Sequence, residues 1–304
     1  MASIALARSY GRLKQTEQQL WQDRYKAHAH EVGQCGSYLQ FLEADGKKRL
    51  HQAYFCRNRL CGMCNWRKAI KTLASVSKVM DVVESENPDI QPVFLTLTQK
   101  NCAFDDLRAE IGRISEGFRR LFNNRVVEQQ AVGWFRALEV TYNRQDDTWH
   151  PHLHVVLLFD KKYFSKTNKR YLTHAEWVRL WRLSMRLDYD PSVRISRAKA
   201  KDGKKRSAIA EVAKYTLKDK ELLTKDQAAT DRLVDCLTRS LHGKRLFAFG
   251  GLMAKVAKRL KADRPDEGDL VHIQDDEQAM RADVAYALIA YRWDFGLRDY
   301  FKVP

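Results

Sequence analysis

The chain has 304 residues, with 54 Lys and Arg against 38 Asp and Glu and a formal net charge of +16. Its length supports one large domain or two smaller ones, and its charge points to an anionic polymer, nucleic acid first, as partner. No apolar run is long enough to span a bilayer, and Arg8, Arg12 and Lys14 break up the N-terminal apolar sequence, so neither a membrane span nor a secretory signal is expected.

Residues 1–34 read as a polar helical segment with Leu13, Leu20, Trp21 and Tyr25 as a sparse apolar stripe. A cysteine-rich module, 35–68, follows, and a helix runs from Asn65 to about Glu86, ended by Asn87-Pro88. Val93–Thr98 is rich in β-branched and apolar residues, as a buried strand is. Leu107, Ile111, Ile114, Phe118, Leu121 and Phe122 recur at helical spacing. Two strands, about Trp134–Tyr142 and Pro151–Phe159, flank the polar turn 143–147 and form a hairpin. A helix near 174–188, a short strand at Val193–Ser196, a basic loop and a helix from about Ala208 complete a core over 69–225. The order strand-helix-strand-strand-helix-strand fits an α+β fold, an antiparallel sheet with helices on one face. Residues 226–304 read as a mostly helical C-terminal region.

His150, His152 and His154 alternate along the second hairpin strand and so share one face. Neutral imidazoles at that fixed spacing suit a divalent metal. With the turn centred near Gln145-Asp146, Glu139 lies opposite His152 on the same face. A carboxylate and two imidazoles leave coordination positions open, as catalytic sites do, and Mg²⁺ or Mn²⁺ is the expected ion because phosphate oxygens could complete its shell. Glu211, Tyr215 and Lys218 fall on one side of the last helix, at i, i+4 and i+7. A tyrosine there would need a polarised phosphate, a cation or a base to act as nucleophile; Lys214 and Lys218 supply cations, and Glu211 a base.

The spacing of Cys56, Cys61 and Cys64 is that of a zinc knuckle. Cys35 is the natural fourth ligand, with His51 competing, and four protein ligands would make the Zn²⁺ structural. Such crowding, in a basic chain without a signal peptide, points to a reducing cytoplasm. Arg57, Arg59 and Arg67 surround the cluster as candidate phosphate contacts. Lys199, Lys201, Lys204, Lys205 and Arg206, with Gly203 near the tip, read as a loop that tracks a nucleic-acid backbone, and Lys214 joins this DNA-binding set.

Phe94–Asn101, His150–His154 and Glu211–Lys218, in that order, resemble the three motifs of rolling-circle replication initiators, in particular the large Gram-positive-type plasmid Rep family within the HUH endonucleases. Phe55–Arg67 and Arg245–Leu252 resemble further segments of that family, so the likeness spans about 35–260; Gly62 departs from its frequent proline. The resemblance implies a ferredoxin/RRM-like core and a metal held by His152 and His154. It further implies that Tyr215 attacks an origin phosphate, giving a 5′-phosphotyrosyl link and a free 3′-hydroxyl, with Glu211 activating water to end the cycle. It implies a host helicase and DNA polymerase as partners. Glu139 comes from the hairpin register alone, and His150 is a further possible ligand. A histidine-triad nucleotide hydrolase is the rival reading, but it needs neither the basic charge, the cysteines nor the Glu211/Tyr215 helix. A non-catalytic zinc protein leaves the histidine strand idle. A relaxase or single-tyrosine transposase shares the chemistry, and the cysteine segment argues against both.

Overall fold

The computed structural model of the protein describes residues 2–15, 18–165, 167–197, 222–273 and 287–303. Among these the chain order is α1 (Ala2–Leu13), α2 (Gln19–Gly33), β1 (Tyr38–Ala44), β2 (Lys47–Ala53), α3 (Gly62–Glu86), β3 (Ile90–Leu97), β4 (Cys102–Ala103), α4 (Leu107–Phe122), α5 (Arg125–Glu128), β5 (Ala131–Asn143), β6 (Thr148–Asp160), α6 (His174–Met185), β7 (Val193–Arg197), α7 (Gln227–Leu241), β8 (Phe247–Gly250), α8 (Gly251–Arg259), β9 (Ala287–Asp294) and β10 (Asp299–Val303). The expected α+β class and antiparallel sheet hold. Two compact units divide the chain: one drawn from 75–218 and 236–265, the other from 1–74, 219–235 and 266–304.

The first unit is built on a six-stranded antiparallel sheet ordered β7-β3-β6-β5-β8, with β4 also pairing β6. Its long hairpin β5–β6 closes through Asn143, whose side chain accepts from Gln145 N at 3.0 Å and donates to Asp146 at 2.6 Å. Asp147 takes a left-handed φ of 51° to complete the turn. The register that follows sets Glu139 opposite His152, Ala137 opposite His154 and Thr141 opposite His150. Pro151, which has no N–H to give a ladder, sits where β6 lacks a second neighbour: β3 ends at Leu97 opposite Leu153, and β4 begins at Cys102 opposite Trp149.

Alternation then sorts the sheet into two faces. Trp134 and Arg136 of β5 meet α4, where the Trp134 ring lies 4.8 Å from Phe118 and the Arg136 guanidinium sits 5.4 Å above the same ring. Leu138, Leu153, Val155 and Leu157 share that face and are fully buried, and α4 supplies Ile111, Ile114 and Leu121 against them. Glu139 and the alternating histidines therefore occupy the opposite face. The Arg245–Leu252 motif forms the edge strand β8 and the turn into α8. A Cβ at Gly250 would collide with the Trp134 ring, and Gly251 has φ of 56°, so both positions need glycine.

The second unit holds Cys35, Cys56, Cys61 and Cys64 and a four-stranded antiparallel sheet ordered β10-β9-β1-β2. β1 and β2 meet at Asp45-Gly46, both with positive φ, the Asp-Gly signal of a two-residue hairpin turn. The helical reading of 226–304 is corrected here: only α7 and α8 are helical among its described residues, and β9 and β10 pair as strands, β9 with β1. Likewise 1–34 is two helices, and 35–68 does not close on itself, because its hairpin shares a sheet with the last described residues.

Candidate metal centres

Three ligand atoms converge on the face of the six-stranded sheet opposite α4. His152 Nε2 and His154 Nε2 are 3.1 Å apart, His154 Nε2 is 2.9 Å from Glu139 Oε2, and His152 Nε2 is 3.3 Å from the same oxygen. An ion with ligands at about 2.1 Å has cis ligand atoms about 3 Å apart in an octahedral shell, so this triangle fits one face of an octahedron. The remote ring nitrogens are occupied in the sense a ligand histidine needs. His152 Nδ1–H donates to the His150 carbonyl at 3.2 Å, which leaves Nε2 as a lone pair. His154 Nδ1 pairs with Thr96 Oγ1 at 3.5 Å, a contact fixed by the Thr96–His154 register of β3 and β6. Burial pushes the Glu139 carboxyl up, but hydrogen bonds and charge from His152 and His154 outweigh it and hold the group at about 2. Glu139 therefore stays ionised and ready to bind a cation throughout the neutral range.

His150 does not join this set. Its Nδ1 is 3.0 Å from Asn101 Oδ1, and burial, with the charge of His152 second, lowers its pKa. Sequence reasoning missed Thr96 and Asn101 as orienting partners, although both lie in the segment Phe94–Asn101 that the motif comparison had singled out.

The second centre gathers Cys35 after α2, Cys56 after β2, and Cys61 and Cys64 at the start of α3. Their sulfurs lie 3.5 Å (Cys35–Cys64), 3.6 Å (Cys56–Cys64) and 3.6 Å (Cys35–Cys61) apart. Four thiolates at about 2.3 Å from one ion stand about 3.8 Å from each other, so the set is nearly the size a tetrahedral metal requires. Cys35 is thus the fourth member, and His51 lies outside the group. The mutual Sγ hydrogen bonds, led by those through Cys35, drive Cys61 down and Cys64 up, a split that a bound cation would remove by stabilising all four thiolates. Arg57, with φ of 57°, turns its N–H to donate to Cys64 Sγ at 3.2 Å.

Arg57 is exposed, as a phosphate contact must be. Arg67 is not: only 8% of its surface is accessible, and its Nε and Nη2 donate to the Leu270 and Val271 carbonyls, each at 2.8 Å. It is a strut for the chain near 270, which corrects its expected role at DNA. Lys199, Lys201, Lys204, Lys205, Arg206, Glu211, Lys214, Tyr215 and Lys218 lie outside the described residues. Among the described residues no helix is long and apolar enough to cross a membrane.

Comparison with known proteins gives the family of the chain. The family model described as "Replication protein" matches residues 47–301. A "Protein rep" of Streptococcus pneumoniae serotype 2 is 36% identical over 271 residues, covering 89% of this chain and 82% of that one. The "Protein rep" of Lactiplantibacillus plantarum is 32% identical over 278 residues (90% and 87%), and that of Bacillus amyloliquefaciens 34% over 294 residues (91% and 85%). No solved structure matches significantly. With a family match across most of its length and relatives of this closeness, the chain belongs to the Gram-positive plasmid Rep family of replication proteins.

Proposed function

We propose that the protein initiates rolling-circle replication by nicking one strand of its origin in a metal-dependent reaction. The observation that carries this reading is the Glu139/His152/His154 triangle, held on the hairpin face opposite α4 with both imidazoles oriented from behind. A divalent ion at these ligands would act as a Lewis acid toward a phosphate oxygen. Two imidazoles beside one carboxylate favour Mn²⁺ over the harder Mg²⁺, although both fit the size of the triangle. Glu139 and the two histidines hold that position, and the hairpin fixes their spacing before substrate arrives.

The nucleophile in this reading is Tyr215. Its oxygen attacks the scissile phosphorus, the P–O bond to the 3′ oxygen breaks, and the products are a 5′-phosphotyrosyl ester and a free 3′-hydroxyl for the host polymerase, with the host helicase opening the duplex. Glu211 takes a proton from water in the terminating step, and Lys218 with Lys214 offsets the charge on the phosphate. Rejoining is possible because the tyrosyl ester conserves the energy of the bond it replaced. Zn²⁺ in the four-cysteine set supports the second unit, and the exposed Arg57 with Arg59 contributes to phosphate binding beside it. Four cysteines gathered for a metal rather than paired in disulfides support a reducing, cytoplasmic setting in this reading.

The test is a nicking assay on supercoiled and single-stranded DNA carrying the sequence that flanks the gene, with Mn²⁺ or Mg²⁺. The parent protein should leave an open circle with protein covalently attached at the 5′ end. Tyr215→Phe should bind the same DNA yet form no covalent product; a full yield of nicked, protein-linked DNA from that variant would overturn the assignment. Glu211→Ala should still nick but accumulate covalent or multimeric products.

A further inference from the structure

An antiparallel sheet ordinarily buries one face against a core. The sheet β10-β9-β1-β2 does not: no residue of its four strands is buried. One of its faces is aromatic and cationic. Leu39 lies opposite Tyr291, which lies opposite Lys302, and Trp293 lies opposite Tyr300. Phe41 and Tyr291 make an edge contact at 5.9 Å between ring centroids, and Trp293 and Tyr300 one at 4.9 Å. Lys48 sits 5.4 Å above the Tyr291 ring and donates to its hydroxyl at 3.0 Å. At one end of this face Trp293, Phe295 and Tyr300, with Met63 and Cys35, line a pocket of about 180 Å³. The opposite face has fewer rings: it sets Leu42 against Leu288 and Arg49, places Arg292 between Tyr38 and Phe301, and carries Val303.

We propose that the Phe41/Tyr291/Trp293/Tyr300 face, with Lys48 and Lys302 at its margins and the pocket at its end, is a stacking surface for unpaired bases of single-stranded DNA. Every base has a π-face, so rings spaced along neighbouring strands hold successive bases without reading their sequence. Lys48 and Lys302 supply the charge that follows the backbone, against Glu43 as the acid on this face. Leu39 and Ile289 share this face, but its four rings flanked by two lysines favour a nucleic acid over a protein partner. The inference is independent of the Glu139/His152/His154 chemistry, and it stands or falls by binding alone.

The experiment is fluorescence anisotropy of the full-length protein with a labelled oligothymidine of about 20 nucleotides, longer than the ~4–16 nucleotides one such surface covers, and with a duplex of equal length. Tyr291→Ala and Trp293→Ala should each weaken oligothymidine binding about 10-fold, the loss expected for one stacked base, and leave duplex binding within twofold. Tyr291→Phe, which keeps the ring, should bind like the parent, while Tyr291→Leu, which keeps apolar area without a ring, should behave like the alanine variant. Unchanged oligothymidine binding in Tyr291→Leu overturns the proposal, as does equal loss on duplex. A shift in sedimentation from dimer to monomer with no change in oligothymidine affinity would instead make this face a contact between copies, and would also overturn it. Because Tyr215→Phe nicking is read separately, failure here leaves the nicking assignment untouched.

Discussion

The two candidate metal centres differ in every respect that decides what a metal site does. Glu139, His152 and His154 offer three ligands of mixed hardness from two adjacent strands, and the histidines are braced by a carbonyl and a threonine. Cys35, Cys56, Cys61 and Cys64 offer four soft ligands from separate parts of the chain, packed sulfur to sulfur. The first centre exists because a hairpin exists, and it would keep its shape with no ion. The second joins segments that lie apart in the sequence and are tied by a few backbone bonds such as Gly36 N–H to the Tyr54 carbonyl, so an ion bound there would add to their cohesion. The expected contrast is a site that depends on the fold in one unit, and in the other a fold that gains from its site once an ion is bound.

The contrast breaks most visibly at Cys61. In Cys61→Ser the tightly held metal should be lost from this centre. Because structural zinc contributes on the order of 10 kcal/mol to small modules, the unit around it should unfold. Metal analysis with limited proteolysis of residues 35–74 measures this; a variant that keeps both its protease resistance and its melting temperature would show that the cysteines do not hold the unit together. At the other centre the effects should separate the opposite way. Glu139→Gln should lower nicking by roughly 10²–10⁴-fold, the several kcal/mol a Lewis acid supplies, while the melting temperature stays close to that of the parent. A large loss of stability in Glu139→Gln would mean that the hairpin, too, needs its ligands to fold.

Arg67 tests the comparison from the side of packing. Its two hydrogen bonds to the Leu270 and Val271 carbonyls are buried, so Arg67→Ala should cost about 1–3 kcal/mol of stability by leaving acceptors unpaired. The salt dependence of DNA binding should not change, whereas removal of the exposed Arg57 should reduce its slope by about one. A reduced slope in Arg67→Ala with no loss of stability would return Arg67 to the DNA contacts.

What could be read from sequence follows from how local the determinants are. The Glu139–His152 pairing was legible because a hairpin register needs only the turn and the strand period. Cys35 was legible because thiols in a reducing setting have few other uses in such a cluster. α4 was legible to its ends, Leu107–Phe122, because its apolar stripe faces one buried surface. The strands β9 and β10 were not: both their faces keep contact with water, so Ala287–Asp294 shows no clean alternation, and β9 exists as a strand because β1, far away in sequence, pairs with it. The β1–β2 hairpin carried a usable signal in Asp45-Gly46, which the cysteine spacing overshadowed. Arg67 was misread because nothing in a sequence tells which face of a helix a charge will occupy when a distant loop passes over it.

The smallest expected effect is the most diagnostic of how the open centre works. Thr96 touches no ligand atom of the triangle; it reaches His154 from behind, at Nδ1. Thr96→Val keeps the volume and the β-branch that a strand favours, and removes only the hydroxyl. Loss of such an orienting partner typically costs 10–100-fold in metal affinity, and the 3.5 Å contact places this one at the weak end, about 10-fold. Titration with Mn²⁺ should show that loss, nicking at saturating Mn²⁺ should recover nearly to the parent rate, and the melting temperature should not move. If saturating metal fails to restore the rate, Thr96 sets the direction of the His154 ring in the reaction as well as the affinity of the site. If the affinity does not change at all, the rigid hairpin alone fixes the triangle.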